Sequence, residues 1–522
     1  KANRSLEKGK TEAPYAWMFP AEQRDAGRLA HLIDQLRLHR IEVHRLTADL
    51  TLGERTWPSG TFVVRLDQPY RNAAINFLEE QKFPADEPNE PYDDVAWTWP
   101  LLYGVEGSPV ADRKVLDAAM EPVNEAALSG RVEGAGDIFL LRDTGQTSLL
   151  RARRLLGSHQ VDAAEKAFEA GGVSYPPGSW IVQAPREAVD DVALRLGLVF
   201  AAVTSMPDVP RHVVDLPRLA LLQTWVSTQD AGWARYTLDR EGFEYTLITD
   251  GDLRRGGLQD RFDVILFPQA FGDFARLVHG IDPKWGPLAY TKTDEYPSHG
   301  IPNAADDITG GMGFEGLLNL QRFVERGGVL VALGNSGVLP VQGGLVRRVR
   351  NVDGPNTPGS ELRAKVLRPE HPIVYGYEEL PSVFRGNGPL WDVDDRDRGW
   401  AVLQFGTKKV PEEEEEKKEE PAEGIAEEEP AAPPAEETIE IDDVDEEPKP
   451  EEKKPEAPED KRLVLSGFVQ GEDQVNGKPA VLDIPVGKGR VVLYAFNPLH
   501  RYLNLSDFRL VYNVLLNWND LP

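Results

Sequence analysis

Asp263-Val264-Ile265-Leu266-Phe267-Pro268 and Val329-Leu330-Val331-Ala332-Leu333 decide the fold of the larger part of this chain. Each contains an unbroken apolar run without polar residues at alternate positions. Such a run suits a strand covered on both faces, as parallel strands are. Between them, Leu317, Leu320, Phe323 and Val324 share one helical face, which ends at Gly327-Gly328, a helix-stop signal. Upstream, Leu219-Ala220-Leu221-Leu222 predicts a strand. A helix through Trp233, Tyr236 and Leu238 follows, and Tyr245-Thr246-Leu247-Ile248 predicts a second strand. Near the end of the chain, residues 490–496 predict another strand, and Ser506 caps a helix carrying Phe508, Val511 and Leu515. This alternation predicts an α/β fold with a doubly wound domain over residues 211–408 and 463–522.

Residues 409–462 interrupt that domain. Positions 411–460 hold 24 acidic and 5 lysine side chains, a net charge of −19 out of −28 for the whole chain. Such a segment has too little to bury to offset its ordering entropy, so a disordered acidic insert and solvated spacer is expected. Trp400-Ala401-Val402-Leu403 and Leu463-Val464-Leu465 read as strands on either side of it. They are expected to be neighbours joined by an enlarged loop, because closure entropy grows slowly with length.

Toward the N-terminus, residues 1–12 read as a linker, followed by two smaller α/β units at 13–129 and 130–210. Trp57-Pro58-Ser59-Gly60-Thr61-Phe62-Val63-Val64 recurs as Tyr175-Pro176-Pro177-Gly178-Ser179-Trp180-Ile181-Val182. Each copy follows a strand about 40 residues upstream, Tyr15-Ala16-Trp17-Met18-Phe19 in one and Ile138-Phe139-Leu140-Leu141 in the other. Each also precedes a helical stretch. The order of elements implies a tandem duplication of 13–105 and 130–205, with the competing reading that aromatic-Pro-x-Gly before a strand is common turn chemistry. The first turn reads as type I, with Pro58 second and Gly60 fourth. Pro177 is expected to prevent an identical turn in the second copy.

Composition excludes several classes. The chain has 522 residues and no cysteine, so it has no disulfide, thiolate zinc site or cysteine nucleophile. The net charge of −28 argues against a nucleic-acid binder. The longest apolar run, 196–203, is far short of the roughly 20 residues of a membrane span. The polar start, Lys1 to Thr11 without an initiator Met or signal peptide, is expected of a processed or truncated chain.

Few residues offer chemistry. His39 and Glu42 have the His-x-x-Glu spacing of a zinc ligand pair, with His44 nearby, but no third-ligand motif accompanies them. Gly334-Asn335-Ser336-Gly337 sits where a nucleophile elbow would follow its strand, with His371 and His500 as distant candidate bases. Val338 stands where the elbow pattern requires glycine, so a plain βα turn is the competing reading. Thr309-Gly310-Gly311-Met312-Gly313-Phe314-Glu315-Gly316 opens a helix but lacks lysine and reads as a tight turn. Trp97, Trp99, Trp225, Trp233 and Trp285 are candidates for an aromatic platform, or for core and interface packing.

Several stretches together resemble a known family. They include 14–23, Ile41-Glu42-Val43-His44-Arg45, Pro91-Tyr92-Asp93, Trp97-Thr98-Trp99-Pro100-Leu101-Leu102-Tyr103-Gly104-Val105 and Gly232-Trp233-Ala234-Arg235-Tyr236. Gly310–Gly316, His371-Pro372-Ile373-Val374-Tyr375-Gly376-Tyr377 and Gly487-Lys488-Gly489-Arg490-Val491-Val492 belong with them. The set resembles the long C-terminal region of bacterial zinc carboxypeptidase-like proteins (carboxypeptidase A-type metallopeptidases), which includes a class I glutamine amidotransferase-like domain. The likeness covers nearly all of the chain except the acidic insert.

It implies a non-catalytic accessory region that docks on the N-terminal peptidase domain of the same protein or shapes access to it. Zinc is then expected in that catalytic domain, no cofactor in this chain, a peptide or glycan substrate, and a secreted or periplasmic location. No catalytic residue of the family maps onto this sequence, and amidotransferase activity would need a cysteine. Two alternatives stand beside this reading: an independent hydrolase or transferase site near Ser336, and a carbohydrate- or peptide-binding module using exposed tryptophans.

Overall fold

The computed structural model describes residues 2–84, 91–408 and 462–522. The expectation of disorder for the acidic insert therefore falls almost wholly outside the described residues. The stretch read as a linker is helical over Ala2–Thr11. That helix packs at Gly9, where a Cβ would lie 2.0 Å from the Leu66 carbonyl oxygen. Its polar sequence concealed this contact, because a glycine docks backbone to backbone without contributing apolar side chain.

The two N-terminal units share one plan. In the first, strand Ala16–Phe19, helix Ala26–Leu38, strand His44–Leu46, hairpin Leu50–Leu52 and Arg55–Trp57, strand Phe62–Arg65 and helix Arg71–Leu78 follow in order. The second repeats them as Ile138–Leu141, Leu149–Leu155, Gln160–Ala164, Phe168–Ala170 with Val173–Tyr175, Trp180–Gln183 and Arg186–Leu196. In both sheets the third of these principal strands lies between the other two, and the pairings are antiparallel.

The repeated turns match in detail, against expectation. Thr61 N–H donates to the Pro58 carbonyl and Ser179 N–H to the Pro176 carbonyl, both at 3.2 Å. Gly60 and Gly178 have φ of +92° and +86°. The turns thus run Pro58–Thr61 and Pro176–Ser179 with a left-handed glycine third, as a type II turn requires. Pro177 occupies the second position, which favours proline.

The third and largest sheet is doubly wound. Its parallel strands are Leu219–Gln223, Thr246–Thr249, Val264–Phe267, Val329–Ala332 and Gly489–Tyr494. Numbered along the chain, they lie in the order 2-1-3-4-5, the flavodoxin-like arrangement. The sheet continues antiparallel through Pro479–Val486, Ala401–Phe405, Ser360–Val366 and Ser382–Arg385. Every residue of Val264–Phe267 and Val329–Ala332 is buried, as their apolar runs demand.

The strands flanking the insert do not pair with each other. Ala401–Phe405 and Val464–Ser466 both pair with Ser360–Val366. They meet at Arg363, whose N–H donates to the Leu463 carbonyl and whose carbonyl accepts from Gly406 N–H, each at 2.7 Å. Adjacency without pairing arises because a third strand serves as the common template.

One continuous apolar cluster joins the three sheets, from Phe19 through Phe139 and Trp180 to Phe267 and Tyr512. Helix Phe508–Leu516 is buried along its whole length. Among the described residues, no helix is long and apolar enough to cross a membrane.

Candidate functional site at the carboxyl edge of the parallel sheet

In open α/β sheets, ligands bind outside the carboxyl ends of the strands, where the strand order reverses. Here that reversal falls between Leu219–Gln223 and Val264–Phe267. A cavity of about 360 Å3 lies there, lined by Val226, Ser227, Thr228, Gln229, Phe271, Gly272 and Arg276. Ser227 Oγ accepts from Phe271 N–H at 3.1 Å and ties the two loops together. Beside them, Asp250 Oδ2 accepts from Trp225 N–H at 3.1 Å, and burial pushes its carboxyl up to about 6.

Ser336 lies on the same edge but faces inward. Its hydroxyl is fully buried and donates to the Pro268 carbonyl. Asn335 Nδ2 donates to the carbonyls of Ala270 and Gly272 at 2.9 and 2.7 Å. Gly334 has φ of +54° and packs against the Gln269 side chain. These contacts close the turn into the neighbouring loop, so the hydroxyl cannot meet a substrate without the turn opening.

His371 is also fully buried. Ile373 N–H donates to its Nδ1 at 3.3 Å, so Nε2 carries the proton and donates to Asp483 Oδ2 at 2.9 Å. Burial lowers the imidazole pKa despite the Asp483 carboxylate. Arg490 lies 3.1 Å from the other oxygen of Asp483. The three side chains form a structural cluster and make no bond to Ser336.

His500 follows the last parallel strand. Its Nε2 lies 3.0 Å from Asp94 Oδ2, a residue of the first unit, and its ring stacks on Phe384. Arg501 Nη1 donates to the same Asp94 oxygen at 2.9 Å. Asn497 Nδ2 donates to Asp230 Oδ1 at 2.8 Å, and burial raises the Asp230 pKa while His500 and Arg501 oppose the rise. An Asp–His pair can orient a proton, but acyl transfer also needs a nucleophile within reach of the imidazole. Among the described residues, no hydroxyl is hydrogen-bonded to His500.

The candidate zinc ligands do not assemble. His39 is exposed, with its ring against Phe77 and Trp99. Glu42 is exposed, and its backbone exchanges hydrogen bonds with the Gln68 amide. His44 lies on a strand, and burial lowers its pKa. Among the described residues, no group of three or more His, Asp or Glu side chains could hold a metal ion.

The glycine-rich turn packs tightly: Gly310, Gly311 and Gly313 have positive φ, and Arg254 donates to the Gly311 carbonyl. The tryptophans are dispersed in role. Trp99 is buried and stacks on Phe77, Trp225 lies against Tyr290, Trp233 meets Tyr236 edge-on, and Trp97 and Trp285 are exposed.

The Asp94–His500 and Asp230–Asn497 pairs were not foreseen. Asp94 directly follows Pro91-Tyr92-Asp93, but nothing local points it toward a histidine 406 residues away.

No family model matches this chain, and no curated protein matches it. Among solved structures, it is similar to PurLQS from Thermotoga maritima at 14% identity and a TM-score of 0.32, covering 59% of this chain and all of that one. It is similar to a beta-galactosidase from Bacillus circulans sp. alkalophilus at 8% identity and a TM-score of 0.29, covering 58% and 31% of the two chains. For the cytoplasmic protein STM3548 from Salmonella typhimurium the identity is 12% and the TM-score 0.25, covering 57% and 98%. Likenesses this weak carry no functional argument. The doubly wound assignment rests on strand order and direction.

Proposed function

We propose that this chain is a non-catalytic accessory region of a zinc carboxypeptidase-like protein, docking on its catalytic domain or shaping access to it. The observation that carries the non-catalytic reading is the internal commitment of the candidate catalytic side chains. Ser336 serves the Pro268 carbonyl, His371 serves Asp483, and His500 faces Asp94. Serine catalysis needs a base within about 3 Å of the hydroxyl and an accessible oxyanion site.

The carboxypeptidase context is supported by the quoted sequence resemblance alone. In it, zinc and the peptidase chemistry belong to the catalytic domain, in a secreted or periplasmic protein. Two experiments separate these parts. A panel of activated esters and amides should show no turnover above background with wild type or Ser336→Ala; wild-type turnover that the variant loses would establish an independent hydrolase. Sequencing the coding region upstream of Lys1 should reveal a carboxypeptidase domain, and a different neighbour would remove the context while leaving the first result intact.

A further inference from the structure

Arg385 ends the strand Ser382–Arg385 and is fully buried. A buried guanidinium is ordinarily paired with a carboxylate. Among the described residues this one has no such partner. Its Nη1 donates to Thr357 Oγ1 and its Nη2 to the Gly388 carbonyl at 3.0 Å, while its Nε has no partner. Burial alone pushes the guanidinium down to about 10. Both groups that receive it adjoin one amide. Asn387 precedes Gly388, and its Oδ1 accepts from the N–H of the same Thr357 at 2.7 Å.

The chain holds two Asn-Gly pairs, Asn387-Gly388 and Asn476-Gly477. In such a pair the amide can close on the next backbone nitrogen, because glycine has no Cβ to obstruct the approach. Closure needs a free nitrogen and a polarised amide carbonyl. Gly388 N–H makes no hydrogen bond among the described residues. Asn387 is exposed, and a Cβ on Gly386 beside it would meet nothing within 4 Å. The Thr357 N–H sits on Asn387 Oδ1, where charge develops during the attack. The other pair is locked. Gly477 N–H is held by the Phe405 carbonyl at 2.7 Å, and Asn476 Oδ1 accepts from Lys408 N–H and packs against Gly406.

We propose that Asn387 is a self-modifying site, which deamidates in water and so supplies Arg385 with its counter-charge. Gly388 N bonds to Asn387 Cγ as the Cγ–Nδ2 bond breaks, and Nδ2 leaves as ammonia carrying the proton from Gly388. Water then opens the succinimide ring. Opening at Cγ gives aspartate, and opening at the backbone carbonyl gives isoaspartate. The proton released with the carboxylate is taken up by the ammonia. Either product carries a carboxylate at position 387. It accepts a charge-assisted hydrogen bond from Thr357 N–H, stronger than the amide's, and attracts the guanidinium on the other side of that residue.

The test incubates the full chain at mildly alkaline pH and follows peptide masses. Asn387 should convert at least about fivefold faster than Asn476, the scale of the one hydrogen bond that must break to free Gly477. Gly388→Ala, whose Cβ would lie 3.8 Å from the Ala495 carbonyl oxygen, should slow the conversion. Faster conversion at Asn476, or an unchanged rate in Gly388→Ala, would overturn the site. The counter-charge is read separately in Asn387→Asp by denaturant titration. Near neutral pH its folded-to-unfolded ratio should exceed that of wild type about fivefold. The gain should vanish below about pH 4, where the new carboxylate is protonated. A variant no more stable than wild type would overturn the counter-charge role, and so would an equal gain in an Arg385→Gln background.

Discussion

Arg509 is a buried cation with a specific counter-charge. Its Nη2 donates to Asp143 Oδ2 at 2.8 Å and its Nη1 to the Gln146 carbonyl at 3.0 Å. Removing one member of a buried pair leaves the other uncompensated, which costs about 3–5 kcal/mol. Asp143→Asn is therefore expected to lower stability by that amount in denaturant titrations. Adding Arg509→Met should recover part of the loss, whereas strict additivity would show that the pair is not coupled.

Glu361 and Asp507 behave in the opposite way, as neighbouring acids in one buried site. Burial raises both, Asp507 to about 7, and the Asp507 carboxylate raises Glu361 further. Their folded-state pKa values exceed the unfolded ones, so their contribution is fully present below about pH 4. It is lost as pH rises through the folded values. For Asp507 alone, the rise from 3.8 to about 7 corresponds to on the order of 4 kcal/mol. The melting temperature should therefore fall between pH 5 and pH 8, by this principle. Glu361→Gln should flatten that fall, and an unchanged slope in the variant would exclude this pair as its source.

At the scale of elements, the duplicated turn separates local from tertiary constraint. Gly60 and Gly178 hold the same left-handed position of the same turn. A Cβ at Gly60 would have as its nearest neighbour Ala21 Cβ at 3.7 Å, whereas at Gly178 it would stand 2.6 Å from Tyr375 Cβ. Gly60→Ala should cost about 1–2 kcal/mol, the strain of a left-handed alanine. Gly178→Ala should cost clearly more, because Tyr375 belongs to the third domain and must move. Chemical denaturation of the two single variants measures the difference; equal losses would show that Tyr375 yields freely.

At the scale of the molecule, the loop at residues 143–147 joins all three parts. Thr147 N–H donates to Asp25 Oδ2 at 2.8 Å and Arg28 donates to the Gly145 carbonyl at 3.3 Å, both from the first unit. Arg509 of the last helix binds the same loop from the other side. Beside this integrated body, the acidic insert is an addition attached at a closed point. Replacing residues 409–462 by a short Gly/Ser loop should leave cooperative unfolding intact. Stability should stay level or rise by up to about 2 kcal/mol, because a shorter loop has a smaller closure cost. A broadened transition or a large loss in calorimetry would show that the segment contributes to the folded core.

The amino-acid sequence by itself determined the doubly wound domain and the repeated unit. Runs such as 264–267 and 329–332 are apolar because both faces of the strand are covered, and coverage leaves its mark locally. The aromatic-Pro-x-Gly turns likewise carry their geometry in a few adjacent residues. Tertiary structure alone decided that Ser336 turns inward to Pro268, that His500 meets Asp94, and that the two ends of the insert meet on Arg363. It also decided that a polar N-terminal stretch becomes a docked helix through Gly9. These outcomes depend on which surfaces of three packed units come together. Such contacts join residues tens to hundreds of positions apart, so no local period or spacing records them.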